Sequence, residues 1–480
     1  MNTGADVRAL RRRKNHDPGT GGTARPAFSQ KGHSLYAVGG MVRNPLLGYP
    51  ISDMDVTTDA LPEESLKIGE ELGLVCVPKA VQFGTVELIA PDKSWSVECT
   101  TFRADTYGPG GFHRPQGVRF SKDLASDAFR RDFTVNAIYQ NALTGEIVDP
   151  TGGMHDLQNR LLRATSKDPK DILKDDGLRV LRLVRFACEL GFEVEERTAA
   201  AAKEYAQGLS DIPAERVYAE LKKILLSDVR YFAAQPDGEH AVLRAFRLMH
   251  ELGILRFVVP ELLEGENVAQ NPKYHAYDVM HHAFRVAAST PPDLVLRLAG
   301  MLHDIAKPAM VHKTGRMYNH ESVGADMARD ILARLKVEKA VISRVCALIR
   351  WHMYDLDGRA KEKTLKKQFA QWGPSFVLDL ANLREADVVG SGMSREPVDT
   401  AERWRRVLSE MRAAGTPFSE NELDIAGEDI AALGFAGKQI GEIKRALWLH
   451  CAVHPEDNQK PKLIRLARGM VHSGPPGRRG

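Results

Sequence analysis

Two aspartates one residue apart are the first side chains in the chain whose types and spacing suggest chemistry. Asp53 and Asp55 lie in the segment "YPISDMDVTTDA". Because side chains alternate along an extended strand, both carboxylates leave the same face. The strand-like run "LYAVGG" ends earlier in Gly39 and Gly40, whose lack of a Cβ lets backbone N–H groups approach a phosphate. This pattern predicts a site for Mg²⁺ and a nucleoside triphosphate, although a solvated turn is the alternative for this stretch alone.

A second polar cluster lies in "DAFRRDFTVNAIYQN", ahead of a predicted strand. Arg130 and Arg131 supply rigid guanidinium forks that suit phosphate oxygens. Asp132 and Asn136 offer a carboxylate and an amide for ribose hydroxyls. The cluster therefore predicts a second wall of a nucleotide site, with a salt-bridged surface as the alternative.

A third pair lies in "KDDGLRVLRLVRFA", where Asp176 and Arg179 are three residues apart. This spacing predicts that both side chains lie on one face of a helix. A structural ion pair would have the same sequence pattern, so the residues alone leave the role of this pair open.

Length and composition indicate the number of domains and the class of protein in which these residues lie. A chain of 480 residues suggests three or four units, and 43% apolar with 27% charged residues is typical of a soluble globular protein. No apolar run is long enough for a membrane helix, and we expect no membrane partner. The five cysteines show no CxxC spacing, which favours a reducing, cytoplasmic compartment.

Charge is unevenly placed although the net charge is only +3. Residues 1–31 contain seven Lys and Arg against two Asp, and residues 458–480 contain six against no acidic residue. An acidic middle with basic ends predicts that any polyanion is bound by local patches. The first residues, through "RRRKNHDPGTGGTARP", are typical of a disordered tail.

The sequence pattern changes near residue 160, from mixed strand and helix signals to helical periodicity. Short β-rich pieces alternate with helical stretches between residues 35 and 149, which predicts an α/β or α+β head. Beyond that point apolar residues recur at spacings of three and four, as in "AERVYAELKKILLS", so we expect helices only.

The order of these motifs resembles the class II tRNA nucleotidyltransferase and poly(A) polymerase family. The similarity rests on "GGMVRNPLLGYPISDMDVTTDA", "CTTFR", "RRDFTVNA", "DDGLRVLRLVRFA" and "IPAERVYAEL", and it extends through the tail to about residue 467. Two departures are visible. The family usually has Asp where this chain has Asn44, and the usual turn before the second motif is rewritten as "GPGGFHRPQG".

The resemblance implies an α+β fold: a polymerase-β-like head with a mixed sheet, followed by all-helical neck, body and HD domains. It implies two Mg²⁺ ions at Asp53 and Asp55 and places Arg43 among the phosphate ligands. Glu98 is the candidate for a third carboxylate, with a plain cross-strand partner as the alternative. The resemblance also implies that Asp176 and Arg179 select the base, since a carboxylate beside a guanidinium complements cytosine and adenine but not uracil or guanine.

A histidine-rich region follows. A His-Asp doublet ends the apolar stretch "RLAGMLHDIAKP", with a histidine about twenty residues earlier and an aspartate in "LREADVVG", the ligand mix of a mononuclear or dinuclear phosphohydrolase site. The region resembles the HD domain. The resemblance implies four ligands for a transition metal (Ni, Co, Mn or Fe) and two candidates for a second ion: His282, His303, Asp304 and Asp387, then His320 and His352. We expect His275 and His281 to face solvent or cap a helix.

The leading interpretation is an enzyme that adds CMP and AMP from CTP and ATP to the 3′ end of tRNA. A-only, CC-only or poly(A) polymerases of the same family are alternatives, and a phosphohydrolase with an RNA-binding head is the alternative from another class. The expected domains are a basic tail, a catalytic head, a neck that binds RNA and nucleotide, an HD domain and a helical tail: 1–33, 34–160, 161–270, 271–400 and 401–480.

Overall fold

The computed structural model describes residues 24–51, 54–106, 117–393 and 398–473. Asp53 and nearly all of the rewritten turn therefore lie outside the described residues. The chain divides into two compact units, Met1–Val258 and Val259–Gly480, so the predicted head shares a unit with most of the predicted neck. Among the described helices, none combines the length and the apolar character needed to cross a membrane.

A mixed seven-stranded sheet forms the head, as predicted. The strands of the first unit are β1 (Leu35–Val38), β2 (Asp55–Thr58), β3 (Val75–Ala80), β4 (Thr85–Ile89), β5 (Ser96–Thr101), β6 (Arg103–Thr106), β7 (Gly117–Phe120), β8 (Tyr139–Asn141), β9 (Ile147–Val148), β10 (Leu161–Leu162) and β11 (Glu193–Val194). The order in the large sheet is β3-β4-β5-β2-β1-β8-β9. Strands β2 and β5 run parallel, and the other neighbours run antiparallel.

Helices cover this sheet and make up the rest of the first unit. They are α1 (Ala24–Gln30), α2 (Gly40–Leu46), α3 (Pro62–Glu71), α4 (Leu124–Phe129), α5 (Gly153–Gln158), α6 (Pro169–Asp175), α7 (Leu178–Leu190), α8 (Glu196–Tyr205), α9 (Ala214–Leu225), α10 (Ser227–Arg230), α11 (Ala241–Glu251) and α12 (Leu255–Val258). Single 3₁₀ turns lie at Val81–Phe83, Thr134–Asn136 and Ala206–Asp211.

One expectation about the neck is wrong, because the region beyond residue 160 is not purely helical. Strands β10 and β11 pair in parallel across two residues each. Gly191, with φ of 66°, ends α7 in the left-handed conformation that glycine adopts at low cost, and the chain then pairs back with β10. Two-residue strands are too short to leave a periodic signal in the sequence.

Side chains along β4 and β5 point alternately to the two faces of the sheet, so one face packs in the core and the other faces the candidate site. Val86 and Leu88 on β4, with Val97 and Cys99 on β5, are buried against α3. The helix lies close to the sheet at Gly69, where a Cβ would come within 2.5 Å of the Cys76 sulfur. Residues between these positions face the opposite side, which leaves that face of the sheet for polar side chains.

The second unit is helical throughout its described part. Its helices are α13 (Val279–Ser289), α14 (Leu294–Leu302), α15 (Lys307–Thr314), α16 (His320–Arg334), α17 (Lys339–Trp351), α18 (Glu362–Trp372), α19 (Pro374–Gly390), α20 (Asp399–Ala413), α21 (Gly427–Ala431), α22 (Lys438–Cys451) and α23 (Lys460–Ser473), with 3₁₀ turns at Pro260–Gly265, Glu420–Glu422 and Pro455–Asp457.

Close helix packing positions the predicted metal ligands. Asp278 and Asp293 cap the first turns of α13 and α14 through their carboxylates, which satisfies backbone N–H groups there. A Cβ on Gly300 would lie 3.0 Å from the backbone of Ala287, and one on Gly390 would lie 2.8 Å from the Val286 nitrogen. These two glycines therefore let α14 and α19 approach α13 closely.

Candidate active sites

A polar cavity of about 480 Å³ lies on the open face of the head sheet. Its walls come from the sheet, the Gly39 turn and the helices α7, α9 and α10. The lining residues are Gly39, Gly40, Arg43, Met54, Asp55, Glu87, Ser96, Glu98, Arg131, Asp132, Asn136, Arg182, Arg185, Phe186, Lys223, Arg230 and Tyr231. Most of the residues predicted for the head site thus meet in one cavity.

Three carboxylates form a row across the sheet at one side of this cavity. Asp55 is directly opposite Glu98 in the parallel β2–β5 pair, and Glu98 is opposite Glu87 in the β4–β5 pair. Directly opposite residues project from the same face. Lys79 forms ion pairs with both Glu98 and Glu87, which offsets part of their repulsion. Oxygen ligands in such a row fit a Mg²⁺ ion.

The glycine turn brings backbone close to these acids. Gly39 has φ of 66°, and a Cβ there would lie 3.9 Å from Oδ2 of Asp55. Helix α2 begins at Gly40 and carries Arg43, which is 3% exposed. Burial lowers the pKa of the Arg43 guanidinium, which donates to Asn136 Oδ1 and lies 5.1 Å from the centre of the Phe186 ring.

An ion pair between Asp132 and Arg182 forms another wall. Arg182 donates to Oδ2 of Asp132, with a distance of 2.8 Å from Nε, and Asn136 donates to Oδ1 at 3.0 Å. Burial opposes ionisation of Asp132, but the Arg182 charge and the two hydrogen bonds outweigh it and hold the pKa at about 2. The cavity therefore contains a fixed carboxylate beside a guanidinium. The sequence analysis named Asp132 but did not predict its pairing with Arg182.

The two adjacent arginines have different positions. Both bind the buried carboxylate of Asp127, and Arg131 also donates to the Tyr139 hydroxyl at 2.9 Å. Burial disfavours the charge of Arg131, yet Asp127 outweighs that effect and raises the Arg131 pKa. Arg131 lines the cavity, whereas Arg130 is not among the residues that line it.

The predicted base-selecting pair is not arranged as expected. Asp176 has extended backbone before α7 begins, so the expectation that it shares a helix face with Arg179 is wrong. Its carboxylate accepts from the Leu178 N–H at 3.0 Å and from Arg216 at 3.3 Å. Arg179 is 9% exposed and donates to the backbone carbonyls of Ile172 and Arg130. Neither residue lines the cavity.

Further cations and aromatic rings complete the cavity and were missed as site residues. Arg185 lies 4.1 Å from the centre of the Phe186 ring, and Arg182 lies 5.2 Å from it. Lys223 on α9 and Arg230 on α10 also line the wall. The spacing of Arg182 and Arg185 after Arg179 was visible in the sequence, but it is also that of an ordinary basic helix face.

The second candidate site lies among the helices of the second unit and has two groups of three ligands: His282, His303 and Asp387, then Asp304, His320 and His352. The Nε2 atoms of His282 and His303 are 3.2 Å apart, and Oδ1 of Asp387 lies 3.1 Å from the first. Nε2 of His320 lies 3.2 Å from both His352 Nε2 and Asp304 Oδ1. The structure thus brings together all six residues predicted for this site.

Hydrogen bonds to backbone carbonyls fix the orientation of three of the imidazole rings. The Nδ1 atoms of His303, His320 and His352 lie 2.6–2.9 Å from the carbonyls of residues three positions earlier. An Nδ1–H that donates to a carbonyl leaves the Nε2 lone pair toward the centre. Converging lone pairs repel unless a cation or proton lies between them, so this donor set fits a divalent metal.

The acids of this site are held ionised. Burial alone would raise the pKa of Asp304, but His303 and Lys307 outweigh burial and hold it well below its usual value. Burial is likewise outweighed at Asp387, where His282 and His303 lower the pKa. The carboxylates in turn raise the pKa of His303 to about 10 against the effect of burial. The centre therefore favours positive charge.

A cavity of about 700 Å³ opens beside these ligands. Lys307 Nζ lies 2.6 Å from Asp304, and Arg384 donates to Asp387 at 3.0 Å. The expectation that His275 faces solvent is wrong, because it lines this cavity with its ring centre 4.7 Å from that of His282. His281 is half-exposed and contacts the capping carboxylate of Asp278, as expected.

Family models match three stretches of the chain. They are the "Poly A polymerase head domain" at residues 35–163, the "Probable RNA and SrmB- binding site of polymerase A" at residues 191–232 and the "HD domain" at residues 273–387. Both the head and the HD region are thus identified in the order that the sequence predicts, and domains of both kinds generally use divalent metals.

Known proteins resemble much of the chain. An A-adding tRNA nucleotidyltransferase of Deinococcus radiodurans is 33% identical in an alignment of 354 positions, gaps included, that covers 69% of this chain and 76% of that protein. A CCA-adding enzyme of Enterococcus faecalis is 41% identical over 200 residues, so the match spans about half (47%) of that relative. The structure of a Bacillus stearothermophilus CCA-adding enzyme in complex with CTP superposes with a TM-score of 0.66 at 25% identity, covering 94% of this chain and 96% of that one. This chain belongs to the tRNA nucleotidyltransferase family and is a nucleotidyltransferase.

Proposed function

We propose that this protein adds CMP and AMP, from CTP and ATP, to the 3′ end of tRNA without a nucleic-acid template. The observation that carries the proposal is the row of carboxylates headed by Asp55 and Glu98, which faces a wall of arginines across one cavity. Carboxylates for metal ions opposite cations for phosphates are the two parts that phosphoryl transfer requires. Solved structures with the same fold include one CCA-adding enzyme in complex with CTP and another complexed with tRNA.

Each part of the cavity has a role in this proposal. Asp53, Asp55 and Glu98 would hold Mg²⁺, which when bound supplies charge neutralisation at the reacting phosphate and on the departing pyrophosphate. Arg43 and Arg131 bind phosphate oxygens beside the Gly39–Gly40 backbone. Arg130 acts behind them, since it shares the Asp127 carboxylate with Arg131 and thereby helps to orient it.

We further propose that Asp176 and Arg179 select the base, which follows from their place in the family motif. In the arrangement seen here Arg179 is bound to the carbonyls of Ile172 and Arg130. It would have to release these contacts to reach a nucleotide in the cavity. Asp132 and Arg182, already paired in the wall, are the competing carboxylate and guanidinium pair.

The number and kind of nucleotides added is the point that an experiment must decide. The Deinococcus relative is an A-adding enzyme, so A-only addition is the first alternative, followed by CC-only and poly(A) addition. The test supplies labelled CTP or ATP to tRNA transcripts that end before CCA, after C and after CC. Two C and one A added in order support the proposal; A alone, added only after CC, contradicts it.

The helical regions and the compartment complete this proposal. Neck, body and tail would hold the acceptor arm of tRNA through phosphates and shape, with the domain limits predicted from the sequence. Four of the five cysteines are buried free thiols and the fifth is half-buried, which supports a reducing, cytoplasmic location.

A second candidate function is phosphoester hydrolysis at the histidine-rich site. The observation that favours it is the pair of ligand triads beside a cavity that Lys307 and Arg384 line. Imidazole-rich ligands would hold Ni, Co, Mn or Fe in preference to Mg²⁺, and the bound metal supplies an activated water. Candidate substrates are 2′,3′-cyclic or terminal phosphates on damaged RNA, whose removal leaves a 3′-hydroxyl for nucleotide addition. Hydrolysis by protein loaded separately with Mg, Mn, Ni and Co tests this function.

A further inference from the structure

The amide of Asn44 has one possible orientation. Its Oδ1 accepts from Arg43 Nε at 3.2 Å and Nη2 at 2.8 Å, and a guanidinium can only donate. Its Nδ2 donates to the Pro50 carbonyl at 3.0 Å, and a carbonyl can only accept. These two obligate partners fix which side is oxygen and which is nitrogen without reference to any third group.

This orientation determines the polarity of the next bond. The same Nδ2 lies 3.1 Å from the hydroxyl oxygen of Tyr231. Since the amide nitrogen has only protons to offer, Tyr231 accepts this bond and keeps its own proton for another partner. Within the described residues, the Tyr231 hydroxyl accepts this bond and donates none.

The Tyr231 ring is held rigidly at the cavity. It is 7% exposed and stacks on Tyr49 with ring centres 4.7 Å apart and planes 10° apart. The guanidinium of the preceding residue, Arg230, lies 5.4 Å from the centre of the Tyr231 ring, and Tyr231 itself lines the cavity that contains Asp55. A fixed donor with an unused proton therefore faces the place where the nucleotide would bind.

We propose that the Tyr231 hydroxyl donates a hydrogen bond to a phosphate oxygen of the incoming nucleoside triphosphate, and that Asn44 sets this direction. The proposal rests on the nucleotide-addition function proposed above. The charge of the surroundings selects phosphate over base, because Arg230 lies over the tyrosine ring and both Arg43 and Lys223 line the same cavity. A hydrogen bond to an ionised acceptor is about twice as strong as one between neutral groups.

The departure at Asn44 gives this proposal its sharpest consequence. An aspartate at this position would place a second oxygen where Nδ2 now lies, facing the Pro50 carbonyl and the tyrosine. That oxygen can only accept, so Tyr231 would donate to it and no longer to the nucleotide. The residue at position 44 therefore determines whether the Tyr231 hydroxyl donates its hydrogen bond to the nucleotide or to the side chain at position 44.

The first test compares Tyr231→Phe with Tyr49→Phe. Each variant keeps the stacked rings and loses one hydroxyl, and among the described residues the Tyr49 hydroxyl has no hydrogen bond. We expect Tyr231→Phe to weaken binding of CTP, ATP and inorganic tripolyphosphate by the same factor, roughly tenfold, and to raise KM more than it lowers kcat. Tyr49→Phe should leave these values within about twofold of wild type. Equal losses in both variants, or affinities for all three ligands unchanged in Tyr231→Phe, overturn the proposal.

The second test is the double-mutant cycle with Asn44→Asp. Tyr231→Phe should have no further effect on tripolyphosphate affinity in the Asn44→Asp background, because the proton is already withdrawn there. A full additional loss in that background contradicts the polarity argument, and a loss for only one of CTP and ATP assigns the contact to the base. Equilibrium binding can be measured without turnover. If the wild-type protein adds no nucleotide, the proposed function is refuted, but the binding affinities still test the Tyr231 contact.

Discussion

The two candidate sites, for both of which we propose phosphate chemistry, have different ligand sets. In the head, Asp55, Glu98 and Glu87 offer oxygen alone, and arginines surround them. In the second unit, four imidazoles converge with two carboxylates. Oxygen ligands suit Mg²⁺, whereas imidazoles suit later transition metals. The comparison indicates that the two sites offer different donor atoms, oxygen alone in the head and nitrogen with oxygen in the second unit.

The two sites also differ in how the chain positions their ligands. Sheet register places Asp55 opposite Glu98, so ligand spacing follows from strand pairing. In the second unit, glycines allow close contact of helices, and backbone carbonyls orient the imidazoles. The first arrangement leaves one face open to a large substrate, while the second encloses its ligands almost completely.

The largest expected effect breaks the head site and leaves the other intact. Asp55→Ala should abolish nucleotide addition while tRNA binding stays nearly unchanged, because metal ligands act on the transition state and RNA affinity comes from distant phosphate contacts. Single-turnover incorporation and filter binding measure the two quantities. The same holds for Asp53→Ala. Retention of more than about a tenth of wild-type turnover, a loss below about 1.4 kcal/mol, would rule out the metal role.

The converse change breaks the histidine-rich site. Asp304→Ala removes a carboxylate that lies 3.2 Å from His320 and 3.1 Å from His303, so one ligand triad loses a member and the other loses a neighbour. We expect metal-dependent phosphoester hydrolysis to disappear and CTP and ATP incorporation to persist, because the sites belong to different compact units. Loss of both activities would show that the units depend on each other. No hydrolysis by wild-type protein with any of the four metals would leave these helices as a scaffold.

A smaller effect distinguishes the two carboxylate and guanidinium pairs. Asp176→Ala and Arg179→Ala should increase misincorporation of UTP and GTP, since a mismatched buried donor or acceptor costs roughly 1 to 3 kcal/mol. Arg182→Ala should raise KM for every nucleotide alike. The measurement is kcat/KM for each of the four nucleotides. Selectivity lost only in Arg182→Ala would assign base selection to the pair with Asp132 that already lines the cavity.

The sequence predicted what depends on local spacing and on family motifs. The head has the mixed sheet that was predicted. In the second unit, the six candidate metal ligands lie together, as predicted. The sequence did not predict the ion pair of Asp132 with Arg182, because these residues are fifty positions apart and only the packing of α7 joins them. The position of His275 beside His282 was missed for a related reason, since it lies before the helix whose periodicity was readable.

The smallest expected effect concerns the stability that the Asp132 pair gives to the head. Its pKa is about 2, below the usual 3.8, so the carboxylate stabilises the fold above pH ~4 and this contribution is lost as pH falls from about 4 to about 2. This lowering of the Asp132 pKa corresponds to about 2 kcal/mol of stability. Asp132→Asn keeps the shape and removes the titration, so the difference in unfolding free energy between wild type and this variant should shrink over that pH window. Urea unfolding followed at a series of pH values measures it, and because other carboxylates titrate in both proteins their effect cancels in the difference. A difference that stays constant between pH 5 and pH 2 would show that the Arg182 pair does not hold this carboxylate ionised.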